Sequence, residues 1–330
     1  MDASELHRKA VVIDGLNTSN FNREILEELH AGGYTAVSCT MALWENFREG
    51  IHNIAKWYAL IEESSDIVLQ VNGVDDIAKA KEIGKTGIIF SWQNTSPLED
   101  KIEYIPIFKR LGVGIMQLTY NTQNYSGAGY IEPNDSGLTG FGHEVVAEMN
   151  RVGVLCDLSH VGDKTAADAI AASKRPVSFS HDQARSLKDV RRNKPDHLLK
   201  AVADKGGIVG VSIFTPGMPK GNDSTVDDYI ASIEHMIDLV GEDHVGVGTD
   251  FSQNHARPGP FQEWANRDKG YARVLTPFGS AKILKPKGIE TIRQMPAVTE
   301  AMLRAGWKEE RILKVLGGNW LRLLGDVWNV

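Results

Sequence analysis

Apolar runs of strand length alternate along the chain with stretches whose apolar residues recur at helical spacing. The strand-like runs fall at 11–16, 35–41, 87–93, 113–120, 152–160, 176–182, 207–213 and 244–251. Amphipathic stretches lie between them at 22–31, 52–63, 100–110, 141–151, 163–173, 195–204 and 226–240. Eight runs separated by helices predict an α/β fold of the TIM-barrel type, a (β/α)8 barrel rather than an open sheet. The extra run IVLQV (67–71), followed by a helical stretch at 75–83, reads as an insertion between the second and third barrel strands. Residues 252–296 are rich in Pro, Gly and charge and read as a long loop. Such a loop after the last strand should lie over the catalytic face, with Trp264, Arg267 and Tyr271 as candidate pocket residues. A helical tail follows. No break in composition marks a second domain, so residues 1–330 are expected to form one barrel.

Charge and cysteine usage narrow the setting. The net charge of −7, with no basic block, argues against a nucleic-acid surface. Cys39 and Cys156 sit inside apolar runs and suit a reducing compartment. The opening MDASELHRKA has no apolar signal-like region, and no stretch approaches the ~20 apolar residues of a membrane span. These features lead to the expectation of a soluble, cytoplasmic protein acting on a small molecule, without membrane contact.

Three runs end in residues able to carry hydrolytic chemistry: VGVLCDLSH (152–160), PVSFSH (176–181) and HVGVGTDF (244–251). Side chains alternate along a strand. On that basis Cys156 and Leu158 share a face with His160, and Val177 and Phe179 share one with His181. Gly246 and Gly248 share a face with Asp250, Ile89 and Ser91 with Gln93, and Asp14 with Leu16. If these faces point inward, His160, His181, Asp250, Gln93 and Leu16 converge on one barrel mouth. Neutral imidazoles are good zinc ligands, and an aspartate beside a metal site can accept a proton from water. Blander roles exist for each: a lone strand-end histidine is commonly structural, Asp250 could cap a turn, and Gln93 could satisfy backbone groups. Cys39 and Cys156 read as core filler. Histidines 7, 30, 52, 143, 197, 235, 244 and 255 read as surface residues.

With these segments in hand, the sequence resembles the membrane (renal) dipeptidase family of zinc peptidases, which are amidohydrolase-like, metallo-dependent barrels. The likeness is carried by LTGFGHEVVAEMNRVGVLCDLSHVGDKT (138–165), SHDQARSL (180–187), RRNKPDHLLKAVADKGGIVGV (191–211), HVGVGTDF (244–251) and GGNWLRLL (317–324). The resemblance implies that His160 and His181 match a pair binding one of two zincs. It implies that Asp250 matches an aspartate that binds the other zinc and transfers protons, and that Arg192 matches a substrate-contacting arginine. It also implies a homodimer as one arrangement.

The chain departs from the family pattern where the second ion would sit. A first-strand His-x-Asp pair is replaced by Leu16-Asn17-Thr18, a bridging glutamate by Gln93, and a histidine after the fourth strand by Tyr120. Two dications ~4 Å apart repel by about 16 kcal/mol at an effective dielectric of ~20, and only Asp250 remains as a charged ligand to offset it. The expectation is therefore one Zn²⁺ or similar ion on His160 and His181, with Gln93 offering a carbonyl oxygen. Asp250 would move the proton, Tyr120 would donate to a developing oxyanion or simply pack, and Arg192 would fork onto a substrate carboxylate. Asn121 and Asp182, with Thr18 and Asn124, would complete a polar pocket. Three activities remain open at this point. The first is a one-metal hydrolase of a dipeptide or small N-acyl amino acid. The second is a metal-poor relative with changed chemistry on another small nitrogen compound. The third is a non-catalytic binding protein.

Overall fold

The computed structural model describes residues 2–255, 265 and 282–329. Its strands are β1 (Ile13–Asn17), β2 (Ala36–Ala42), β3 (Val68–Gln70), β4 (Thr86–Trp92), β5 (Val113–Gln117), β6 (Leu155–Asp157), β7 (Ser178–Asp182), β8 (Ile208–Val211) and β9 (Val245–Val247). All pair in parallel in the order β1-β2-β4-β5-β6-β7-β8-β9, and β3 adds to the side of β4. The insertion read at 67–71 is thus a ninth strand lying outside the ring. The ring closes from β9 to β1 through the Asn17–Phe251 bridge, with the Thr18 amide donating to Phe251 O at 2.8 Å and the Asp250 amide to Leu16 O at 3.0 Å. The eight-stranded barrel predicted from the sequence is the observed architecture. Of the loop expected over 252–296, Trp264, Arg267 and Tyr271 lie outside the described residues.

Parallel strands buried on both faces separate two apolar layers. The outer layer packs strands against helices and contains Val37, Cys39, Phe90, Cys156, Leu158, Val177, Phe179, Val209 and Val247. The inner layer contains Ile13, Ala36, Ile89, Ile115, Leu155 and Ile208, packed on Trp320, Leu323, Val327 and Trp328 of the C-terminal helix Asn319–Trp328. That helix plugs the floor of the barrel. Its two indoles donate back to strands, Trp320 Nε1 to Val247 O at 2.8 Å and Trp328 Nε1 to Gly114 O at 3.0 Å. Glycine makes the room: a Cβ at Gly15 would stand 2.4 Å from the Trp320 ring, and one at Gly246 would stand 2.5 Å from it.

The inner and outer layers correct the phase expected for three strands, and on β1 it is Ile13 and Gly15, not Asp14 and Leu16, that face the inner layer. Cys156, Leu158, Val177 and Phe179 face the helices rather than the barrel interior. Asp14 is fully buried and accepts from the Thr249 amide at 2.7 Å and the Thr249 hydroxyl at 2.6 Å, tying β1 to the chain just after β9. His7, expected at the surface, is also buried; its ring bonds Thr299 Oγ1 at 2.7 Å and Gly32 O at 2.9 Å.

Two outcomes follow from this packing. Trp320→Ala should cost about 3–5 kcal/mol in chemical denaturation, with Trp320→Phe costing less, because the alanine leaves an unfilled floor. Burial raises the Asp14 carboxyl to about 7 against the pull of its Thr249 hydrogen bonds. Between about pH 4 and that value the folded chain keeps a proton that the unfolded chain has released, so stability falls as pH rises through the window. Asp14→Asn should remove this component of the slope in urea titrations across the same pH range.

Candidate functional site

Two departures from strand geometry bring the histidines to the mouth. At the end of β6 the chain turns, and His160 takes a left-handed φ of 61°, uncommon for a residue with a side chain. At β7 the ladder pairs Phe179 with Val209 and Asp182 with Val211, so Ser180 and His181 together oppose the single Gly210. This bulge re-aims His181 away from the alternation set by Val177 and Phe179. It also turns the Ser180 carbonyl into the barrel. A Cβ would stand 2.0 Å from that oxygen at Gly210 and 1.9 Å from it at Gly248. The bulge therefore requires glycine on β8 and just after β9.

The two imidazoles meet edge to edge. His160 Nε2 lies 2.9 Å from His181 Nε2. Each Nδ1 has its own partner: His160 with Asn121 Oδ1 at 2.7 Å, His181 with Ser180 Oγ at 2.7 Å. Ser180 Oγ continues to Asp157 Oδ2 at 2.8 Å, and Asp157 Oδ1 accepts from the Ser180 amide at 2.6 Å and Ser178 Oγ at 3.0 Å. Burial, then the nearby Arg192 charge, holds both histidines well below their usual pKa, so both rings are neutral at pH 7. Tyr120 lies over His160 with ring centres 4.3 Å apart and meets Trp44 edge-on at 5.5 Å. Burial and the Asp250 charge push the Tyr120 phenol upward, which keeps its proton available for donation.

The remaining expected residues fall into two groups. Asp182 and Arg192 are both buried and form an ion pair, and Arg192 Nη2 also donates to His181 O at 2.9 Å. Both terminal nitrogens of Arg192 are thus engaged in holding β7. The Arg192 guanidinium also stands 5.9 Å from the Tyr130 ring centre. Asp250 follows β9 with φ 57°, half-buried, and its carbonyl accepts from Lys285 Nζ at 2.9 Å. Gln93 is buried on the far arc. Its Nε2 donates to Thr40 Oγ1 at 2.9 Å, its backbone carbonyl accepts from Gln117 Nε2 at 2.5 Å, and no hydrogen bond joins it to either histidine. Leu16 is buried yet stands outside both apolar layers. Asn17 Nδ2, Thr18 Oγ1 and Gln117 Oε1 are buried without a hydrogen-bond partner among the described residues.

Sequence reading overlooked Asp157, Ser180 and Lys194. Asp157 and Lys194 are buried ionisable residues, and a carboxylate inside the apolar run VLCDLSH is the signal that could have found the first. Lys194 donates to Val161 O, just after the His160 turn, and burial lowers its ammonium to about 8.

The donor set fits one cation better than two. Two neutral imidazoles with partnered Nδ1 atoms suit zinc or a similar first-row ion. Among the described residues no group of three or more His, Cys, Asp or Glu side chains is placed to hold a metal. Further ligands would have to be water or neutral oxygen.

With this geometry in place, comparison with known proteins is decisive about ancestry. The sequence profile of the membrane dipeptidase family, peptidase family M19, matches residues 3–266. The chain belongs to that family. It is 29% identical over 289 residues to dipeptidase tcpJ of Claviceps purpurea, covering 86% of this chain and 61% of that one. It is 30% identical over 255 residues to dipeptidase 3 of Rattus norvegicus, covering 74% of this chain and 46% of the relative. The chain therefore spans less than two thirds of the length of these curated relatives. A crystal structure of an amidohydrolase from Pseudomonas aeruginosa superposes over 100% of both chains with TM-score 0.96 and 50% identity. The metallopeptidase called dipeptidase AC, at 20% identity and TM-score 0.80, shares the fold. No helix among the described residues of this M19 member is long and apolar enough to cross a membrane.

The bulge gives a direct test of how the site is built. Gly248→Ala forces a methyl against the Ser180 carbonyl and should destabilise the protein by about 1–3 kcal/mol or more. Thermal melts read the effect.

Proposed function

We propose that this M19 member is a metal-assisted hydrolase that cleaves the C–N amide bond of a dipeptide or small N-acyl amino acid, using one divalent ion held by His160 and His181. The observation that carries the proposal is the approach of two neutral Nε2 atoms to 2.9 Å, with both Nδ1 atoms already partnered. The names of the relatives, dipeptidases and an amidohydrolase, supply the reaction class. A divalent ion there supplies Lewis acidity, polarising a scissile carbonyl and making water more acidic.

The protein's own groups then divide the work. Asp250, half-buried at the rim beyond β9, accepts a proton from water and returns it to the leaving amine. Tyr120, whose phenol stays protonated, offers a hydrogen bond beside His160 to the carbonyl oxygen as negative charge develops. Arg192 and Asp182 fix the His181 carbonyl; Arg192 also contributes positive potential that favours a substrate carboxylate. Asn17, Thr18 and Gln117 face the substrate with uncharged donors and acceptors in place of a second ion.

Elemental analysis of protein purified without added metal should find at most one ion per chain, and a panel of L,L and L,D dipeptides should show amine release that chelation abolishes. Two fully occupied ions per chain would overturn the one-ion site. Activity that survives exhaustive chelation would favour the second reading, metal-free chemistry in the pocket of unpartnered polar groups. Asp250→Asn should lower kcat by about 100- to 10,000-fold while leaving metal content unchanged.

A further inference from the structure

The chain Asp157–Ser180–His181–His160–Asn121 has a proton count that constrains it. Ser180 carries one hydroxyl proton and has three neighbours for it, Asp157 Oδ2 at 2.8 Å, His181 Nδ1 at 2.7 Å and, farthest of the three, Ser159 Oγ at 3.4 Å. A carboxylate can only accept. Asp157 already takes the Ser180 amide and the Ser178 hydroxyl on Oδ1, which leaves Oδ2 for the Ser180 proton. The Ser180 oxygen is then an acceptor toward His181, and His181 Nδ1 must be the donor. At the other end, Asn121 Oδ1 accepts from His160 Nδ1. Both rings thus spend their single N–H on the outer side, and both Nε2 lone pairs face the 2.9 Å gap between them. Without a shared cation this arrangement is repulsive; with one it is a ready-made two-nitrogen corner.

We propose that Asp157, acting through the Ser180 hydroxyl, is the positioning residue that fixes His181 in its Nδ1–H form and presents Nε2 to a divalent cation beside His160. The part concerning the cation rests on the function proposed above; the part concerning the tautomer stands on the hydrogen-bond chain alone. Asp157 sits on the inner face of β6, next to Leu155 of the inner layer, and is buried. Its bond to the Ser180 amide holds the same bulge that aims the imidazole. One side chain therefore sets both the direction and the protonation pattern of His181, as the outer partner of a metal-binding histidine does.

The test uses the full chain with ¹⁵N-labelled histidine, stripped of metal, at pH 8, where Asp157, raised by burial to about 6, is ionised. Long-range ¹H–¹⁵N spectra of the unsubstituted protein should show His181 protonated on Nδ1; protonation on Nε2 overturns the proposal without any variant having to fold. Zn²⁺ affinity, measured by competition with a chromophoric chelator, should weaken about 10- to 100-fold in Ser180→Ala and Asp157→Asn. Ser178→Ala removes a hydrogen bond from the same carboxylate without breaking the chain to His181. It should lower the melting temperature yet leave Zn²⁺ affinity unchanged. Equal affinity loss in all three variants would mean that Asp157 acts only on stability, which overturns the positioning role. An unsubstituted protein that binds no Zn²⁺ but shows His181 protonated on Nδ1 would sink the one-ion site and uphold the tautomer.

Discussion

The interior of an eight-stranded barrel is only just wide enough for side chains to fill, so the Trp320 ring and the inward-turned Ser180 carbonyl fit only where the strands facing them carry glycine. Gly15 and Gly246 leave a hollow that Trp320 fills from below. Gly210 and Gly248 leave another, one layer higher, that the inward-turned Ser180 carbonyl occupies. Close packing makes the two levels interdependent, because neither hollow tolerates an added methyl without movement of its neighbour. The floor fixes the strands, the strands fix the bulge at β7, and the bulge fixes His181.

Above that layer the mouth divides by charge. The arc from β1 through β5 carries Asn17, Thr18, Thr40, Gln93 and Gln117, all uncharged and buried. The arc from β6 onward carries the two histidines, the Asp182–Arg192 pair and buried Lys194. Cations repel strongly at short range, and a site for two of them needs anionic ligands between them. The neutral arc offers none. What it offers, among the described residues, is hydrogen-bonding capacity left over at Asn17, Thr18 and Gln117, and buried polar groups of this kind discriminate sharply for ligands that satisfy them.

Much of the fold was legible in the order of the chain. Eight apolar runs with helices between them specify a barrel because a parallel strand needs a crossover to reach its neighbour. The runs ending in His160, His181 and Asp250 indicated the face that carries polar chemistry, since strand C-termini point to the barrel mouth. The face of each strand was not legible in the same way. Strict alternation would put His160 on the side of Cys156 and Leu158, which pack against helices. The left-handed turn at His160 and the extra residue in β7 break the period, and neither has a local sequence signal apart from the polar residues themselves. His7 was misplaced for a similar reason: its burial depends on Thr299 and Gly32, far away along the chain.

The sequence by itself determined the barrel, the family and the lack of charged side chains at the mouth end of the first strand and its neighbours, because these follow from residue type and order. Only the tertiary structure decided that the C-terminal helix closes the floor, that Asp14 locks β1 to the chain beyond β9, and that Asp157 reaches His181 through Ser180. Each of these is a contact between segments distant in the chain or on different strands. Side-chain direction, register and burial decide such contacts, and those are properties of the folded interior rather than of any local stretch of residues.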